Sequence, residues 1–307
     1  MKLHLHLYHV KKSYEVHLSK YVGNTPLIPI KFGEYTVWGK AEFMNPGGSV
    51  KDRMATYIIN DAEANNKIKI GSVLCEATSG NTGIAFAMLA AERGYKMKIV
   101  MPSNMSIERK KIFEYYGAEL IEVGDGDFDG AIELRDNLCK ENDWFNCNQF
   151  HNPLNILAHY NGTGIEIWKQ WKNFTQPDAF ILGTGTGGTL MGCGKRLKEH
   201  WKDMKIVAVE PDESPVMSGG EPGLHGIQGI GDGSKFMVDL NFVDEVRTVK
   251  TDCAKTIAKY LATKKGLFVG ISAGANVMAA FQWLIDNNKK NAITILCDRG
   301  ERYFSCL

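Results

Sequence analysis

The chain has 307 residues, with 36 Lys and Arg against 35 Asp and Glu, for a formal charge of +1. That balance lacks the basic excess that nucleic acid or an anionic membrane surface demands, which leaves small-molecule chemistry as the expectation. The length exceeds one simple core and predicts two domains. Seven cysteines, at 75, 139, 147, 193, 253, 297 and 306, form no C-x-x-C pair, a pattern of reduced thiols in a cytoplasm, most of them core filler.

In chain order, residues 1–20 hold no membrane-length apolar run and no signal peptide. Leu3, Leu5 and Leu7 alternate with His4 and His6, predicting an added edge strand; two histidines with no carboxylate or thiol partner make a poor metal site. Asn45-Pro46-Gly47-Gly48-Ser49-Val50-Lys51-Asp52-Arg53 then sets a lysine behind a tight turn at a helix start. A lysine that forms a Schiff base must be held still and partly desolvated; a solvated helix start accounts for the same residues.

A predicted strand at 73–75 feeds a helix at 84–93 through Glu76-Ala77-Thr78-Ser79-Gly80-Asn81-Thr82-Gly83. Such a loop aims backbone N–H groups and a helix N-terminus at one spot, where a carboxylate would sit. One capping residue would serve an ordinary helix start. Strands follow at 97–101, 118–123 and 144–147, with helices from about Ser106 and Ala131. Asp125-Gly126-Asp127-Phe128-Asp129-Gly130 imitates a calcium loop, but Asp136 stands at position 12 and a strand precedes it, so a helix-capping loop is expected.

A second series of strands is predicted at 180–182, 206–209, 245–249, 267–269 and 292–296. Gly183-Thr184-Gly185-Thr186-Gly187-Gly188-Thr189 lies between the first of these and a helix at 190–200. This pattern reads as a phosphate cradle. Gly183, Gly185 and Gly188 also fit G-x-G-x-x-G, with Glu210 placed for a ribose, so a nicotinamide dinucleotide competes locally. It leaves Lys51 and the loop at 78–83 unexplained. The strand and helix alternation predicts α/β architecture: two three-layer αβα domains with mainly parallel sheets, and motif loops at the carboxyl ends of strands.

The lysine segment, the Thr-Ser-Gly-Asn-Thr loop, the Gly-Thr-Gly-Gly-Thr cradle and Gly270-Ile271-Ser272-Ala273-Gly274-Ala275 occur in one order. In this the chain resembles the cysteine synthase and cystathionine β-synthase family of fold type II pyridoxal-phosphate (PLP) enzymes. The likeness runs from Tyr21-Val22-Gly23-Asn24-Thr25-Pro26-Leu27 through Met101-Pro102-Ser103-Asn104-Met105-Ser106-Ile107-Glu108-Arg109 to Gly300-Glu301-Arg302-Tyr303. It implies Lys51 as Schiff-base lysine and α-proton shuttle, and Gly185, Thr186, Gly187, Gly188 and Thr189 as the phosphate site. Asn81 would contact the cofactor 3-hydroxyl. Thr78, Ser79, Gly80, Asn81, Thr82 and Gln149 would bind the substrate carboxylate, with Gly229 bordering the substrate. Ser272 would face the pyridine nitrogen; a hydroxyl there leaves that nitrogen unprotonated and restrains the electron sink. The resemblance further implies domains at 41–155 and at 13–40 plus 156–307, a cytoplasmic homodimer, amino-acid substrates and no metal.

One departure from the family bears on substrate. After Gly226-Ile227-Gln228-Gly229-Ile230-Gly231, where cysteine synthases usually continue with a small apolar residue, this chain has Asp232. A carboxylate would repel acetate and sulfide but can take a proton from water. The implied reaction is β-replacement on L-cysteine, water adding to an aminoacrylate to give L-serine and hydrogen sulfide. An O-acetylserine sulfhydrylase, in which Asp232 is an exposed turn residue, is the alternative. A non-catalytic relative that keeps the cofactor is a third.

Overall fold

The computed structural model describes residues 17–104, 106–171 and 175–306. The strand expected through Leu3, Leu5 and Leu7, with His4 and His6, lies outside them. The chain opens with a hairpin, β1 (Leu27–Phe32) and β2 (Tyr35–Lys40), followed by α1 (Lys51–Ala64). An alternating series comes next: β3 (Val73–Ala77), α2 (Asn81–Arg93), β4 (Lys96–Pro102), α3 (Ile107–Tyr115), β5 (Glu119–Val123), α4 (Phe128–Asn142) and β6 (Phe145–Asn146). Two short helices, α5 (Leu154–Ala158) and α6 (Gly164–Trp171), flank a π-helical turn at His159–Thr163. The remainder is β7 (Ala179–Gly183), α7 (Gly188–Lys198), β8 (Lys205–Pro211), β9 (Glu245–Val249), α8 (Thr251–Lys265), α9 (Ile271–Asp286) and β10 (Asn291–Ile295).

These strands form a six-stranded sheet in the order β1-β2-β10-β7-β8-β9 and a four-stranded sheet in the order β5-β4-β3-β6. Among the described strands only β1–β2 pairs antiparallel, and the other strand pairs are parallel. Both sheets are buried on two faces, which the period-2 geometry of a strand makes visible in β7. Ile181 joins the core under α8 and α9, whereas Phe180 and Leu182 join the one under α6 and α7. In the smaller sheet Leu74 packs toward α1 and α2, and Cys75 and Ala77 toward α4. The expected pair of αβα layers with mainly parallel sheets is the observed fold.

Four local features differ from the sequence pattern. The strand predicted at 267–269 is a single bridge, Val269 to Arg299. Gly266, left-handed at φ 68°, ends α8 and Gly270 opens α9, leaving no length for a ladder. The strand expected at 144–147 shrinks to two residues paired with Leu74 and Cys75. Helices expected at 84, 131 and 190 begin at Asn81, Phe128 and Gly188, because polar and glycine residues read as loop form their first turns. The hairpin β1–β2 is absent from the predicted strands; Gly33, at φ +60°, makes its two-residue turn.

Asp127 caps α4, its side chain accepting from Gly130 N at 2.8 Å. The loop at 125–130 is therefore the helix start its sequence predicts.

Candidate active site

Lys51 is the first residue of α1, and its position is set from behind. In the preceding turn Gly48 takes φ +82°, a conformation that favours glycine, and its N–H bonds Asn45 O at 2.8 Å. Ser49 Oγ accepts from Lys51 N at 3.2 Å. Two residues on, the Arg53 guanidinium forks onto two carboxylates, Glu42 at 2.6 and 2.7 Å and Glu166 at 2.7 and 2.8 Å. Lys40 Nζ donates to Glu166 at 2.6 Å and to Gln170 at 3.1 Å. This closed, nearly solvent-free set of two cations and two anions ties α1 to β2 and α6, and its worth lies in geometry more than in net stability. Burial raises the Glu166 carboxyl, but Arg53 and Lys40 more than offset it and hold the group down at about 2.

Lys51 itself is partly buried in a cavity wall. Desolvation lowers its pKa, and Asp232, Cys297 and Glu76 oppose that shift in decreasing order. A lysine at a helix N-terminus also meets the positive end of the macrodipole, which favours the neutral amine in the same direction.

A cavity of about 490 Å³ opens in front of Lys51. From the smaller sheet, Thr78 to Thr82 enter it at the carboxyl end of β3. Thr82 donates to Gln149 Oε1 at 2.6 Å, and Gln149 Nε2 donates to Ala77 O at 3.2 Å, leaving a second amide hydrogen for a ligand. Asn81 Nδ2 donates to Asp298 Oδ2 at 2.6 Å, while its carbonyl oxygen accepts from Arg302. Arg109 Nη1 donates to Ser79 O at 3.3 Å and its guanidinium lies over the Tyr303 ring.

From the larger sheet, Thr184 to Gly187 leave β7 and turn into α7. Gly187 is left-handed at φ +84°, and a Cβ at Gly185 would stand 2.8 Å from Asp232 Oδ2 and 2.9 Å from Gly229 O. Only bare backbone fits here, with its N–H groups at the mouth of a helix, as an anion requires. Asn155 Nδ2 donates to Thr186 Oγ1 at 3.0 Å, and His159 Nε2 meets Thr189 Oγ1 at 3.1 Å. Thr189 lines the cavity, whereas Gly188 lies deeper, its Cα against Asn155. Ser272, in the first turn of α9, and Cys297, just past β10, close the floor. Burial pushes the Cys297 thiol up to about 12, leaving it neutral.

Asp232 stands on the wall facing Lys51. It makes no hydrogen bond or ion pair among the described residues and is exposed to the cavity. The surrounding protein nevertheless raises its carboxyl above the usual range, with Lys51 and then His225 pulling it back. Glu210, the ribose candidate, is spent on structure, accepting from Met217 N at 2.6 Å and Ser218 N at 2.9 Å.

A desolvated lysine before a glycine-rich turn and a polar loop at a helix N-terminus has the groups a PLP cofactor requires, and the comparisons support that cofactor. The profile of the pyridoxal-phosphate-dependent enzymes matches residues 18–298. Cysteine synthase from Staphylococcus aureus is 41% identical over 295 residues, 94% of this chain and 95% of that protein. This chain belongs to the cysteine synthase family of PLP-dependent enzymes. Among solved structures, O-ureido-L-serine synthase superposes on this family member with a TM-score of 0.90 at 35% identity, over 94% of this chain and 93% of that one. A hydrogen sulfide-producing enzyme from Fusobacterium nucleatum gives 0.90 at 39% identity, over 94% and 90%. An aspartate-to-asparagine variant of the latter is solved in complex with an α-aminoacrylate intermediate.

For this PLP enzyme the cavity unites Lys51, Thr78, Ser79, Gly80, Asn81, Thr82, Gln149, Gly185, Thr186, Gly187, Thr189, Gly229, Asp232 and Ser272. Sequence reasoning missed the groups that hold them. Arg302 and Tyr303 are legible only as part of a family-like block, Cys297 only as one of the scattered thiols, and Asp298, Asn155, His159 and His225 carry no signal that singles them out.

Proposed function

We propose that this enzyme replaces the thiol of L-cysteine by water, giving L-serine and hydrogen sulfide. The observation that carries the reading is the Asp232 carboxylate, without a hydrogen-bond partner among the described residues, on the wall of the cavity that Lys51 also lines. Bound there, PLP supplies the electron sink that lets the α-proton and then the β-substituent leave. The residues that would hold it are Lys51, the backbone and hydroxyls of 185–189, Asn81 and Ser272. Lys51, kept short of its full basicity by burial, takes the proton from Cα and later returns it. Thr78, Ser79, Thr82 and Gln149 hold the amino-acid carboxylate at the N-terminus of α2. Hydrosulfide departs from Cβ; water then bonds to Cβ as Asp232 accepts its proton, which the carboxyl afterwards gives up to solvent, where hydrosulfide takes one up to become hydrogen sulfide. Cysteine and water thus become serine and hydrogen sulfide, with no oxidant or reductant.

A raised carboxyl suits this task, because a base nearer the working pH both accepts and releases the proton. The Fusobacterium relative, named for sulfide production, supports the reading. The 41% identity to a cysteine synthase supports a second one, in which O-acetylserine and sulfide give cysteine. Feeding purified enzyme L-cysteine alone, and separately O-acetylserine with sulfide, ranks the two. The decisive variant is Asp232→Asn. Enzyme in excess over cysteine should still release sulfide in one turnover, while serine formation falls by about 10² to 10⁴, the usual cost of a lost general base. Serine formed at the parental rate would return Asp232 to a turn residue and leave the synthase reading.

A further inference from the structure

His225 occupies a place in the cavity wall that the proposed chemistry does not use. Its ring spans the loop that carries Asp232. On one side Nδ1 accepts from Ile227 N at 3.2 Å; on the other Nε2 lies 3.0 Å from Gly231 O. A carbonyl only accepts, and a backbone N–H only donates, so these two partners dictate the neutral imidazole with its hydrogen on Nε2.

The loop between them has reason to need such a tie. Gly229, Gly231 and Gly233 all take positive φ, at +94°, +71° and +75°, so Asp232 sits between two residues whose backbone is freest to rearrange. Ile227 and Ile230 are buried and anchor the loop from below, and Gly231 N donates to Thr184 O at 3.0 Å beside the phosphate cradle. Gly226 N is held by Thr251 Oγ1 at 2.9 Å. The histidine adds a bridge to the carbonyl of the residue immediately before Asp232.

We propose that His225 is a positioning residue that, as the Nε2–H tautomer, staples the loop at 226–231 and so aims the Asp232 carboxylate at the point where water attacks Cβ. The proposal rests on the reading of Asp232 as the group that takes the proton of water. It assigns His225 no proton of its own to transfer.

The test is made on the full-length holoenzyme with three variants. His225→Asn keeps an acceptor near Nδ1, His225→Gln keeps a donor near Nε2, and His225→Ala keeps neither. With enzyme in excess over cysteine, all three should release sulfide at the parental rate. Serine should fall most in His225→Ala, by up to about 10²-fold, the scale of a misplaced catalytic group. His225→Asn and His225→Gln should each recover part of it. Pyruvate, formed when the unsaturated product is released and hydrolysed, should rise as serine falls. An added thiol, which needs no base, should restore replacement in His225→Ala.

Two further measurements separate this idea from the one beneath it. In the Asp232→Asn background His225→Ala should cause no additional loss of serine, since a positioning group acts through the residue it positions. Nitrogen-15 spectra of the unsubstituted holoenzyme should show His225 as the neutral Nε2–H tautomer. If Asp232→Asn collapses serine formation while His225→Ala leaves it intact, the staple is wrong and the general base stands. Should Asp232→Asn make serine normally, the base reading itself fails. Sulfide and serine falling in parallel in His225→Ala, or a ring protonated on Nδ1 at neutral pH, would also overturn the proposal.

Discussion

Lys51 has charges both behind it and in front of it, and the two groups are treated in opposite ways. Behind, Glu42, Arg53, Glu166 and Lys40 close on one another at 2.6 to 2.8 Å, and the Glu166 carboxyl is held at about 2. In front, Asp232 meets no donor among the described residues, and its carboxyl is raised. Pairing makes a charge inert and useful as scaffold, whereas a carboxyl raised by the protein around it and left without a partner stays free to exchange a proton. The same residue types thus serve as scaffold behind Lys51 and, in the function proposed above, as the proton acceptor in front of it.

Removing the lysine between the two regions should have the largest effect. Lys51→Ala should abolish both turnover and the visible absorption of a lysine-bound cofactor, checked by spectrum and assay; an unchanged spectrum would place the cofactor elsewhere. Next comes the region behind. Arg53→Leu strands Glu42 in a dry site, and removing one partner of a buried pair costs about 3 to 5 kcal/mol, readable by chemical denaturation. A loss near zero would mean that the paired set is no scaffold.

On the cavity floor, Ser272→Asp places a carboxylate where the cofactor ring nitrogen is expected, and should slow sulfide release more than Ser272→Ala. Equal and severe losses in both would instead indicate packing damage, since Ser272 is buried.

The smallest effect concerns Asp52, whose carboxyl burial raises to about 7 although Gly47 N donates to it at 2.5 Å. Its native pKa lies above the unfolded one, so the folded state keeps a proton that the unfolded chain releases. Its contribution to stability is full at acid pH and declines as pH rises toward 7. Glu166 behaves oppositely, contributing above the ordinary carboxylate range and losing that contribution as pH falls toward 2. Asp52→Asn should therefore flatten the decline between about pH 4 and 7, and Glu166→Gln should flatten the acid limb. If denaturation midpoints of both variants track the parent across pH, the contrast between paired and unpaired charge does not reach stability.

Much of this architecture was legible beforehand because it rests on short-range patterns. Alternating strands and helices predicted two parallel sheets, and glycine and hydroxyl clusters marked the loops at the ends of β3 and β7. Where the reading failed, tertiary context decided. The apolar stretch at 267–269 has the composition of a strand, but the caps at Gly266 and Gly270 leave it no partner to extend along.

The sequence by itself carried the family pattern, and with it the cofactor class, and it marked Lys51, the glycine loop at 183–189 and the carboxylate at 232, because each sits in a short local motif. Only the tertiary structure decided what holds them. Asn81 is locked by Asp298 and Arg302 more than two hundred residues away, Arg53 by Glu166 from a helix beyond the smaller sheet, and Thr186 by Asn155. Those partners are single polar residues with no local signature, and their roles exist only once two separate sheets bring their strand ends to one cavity.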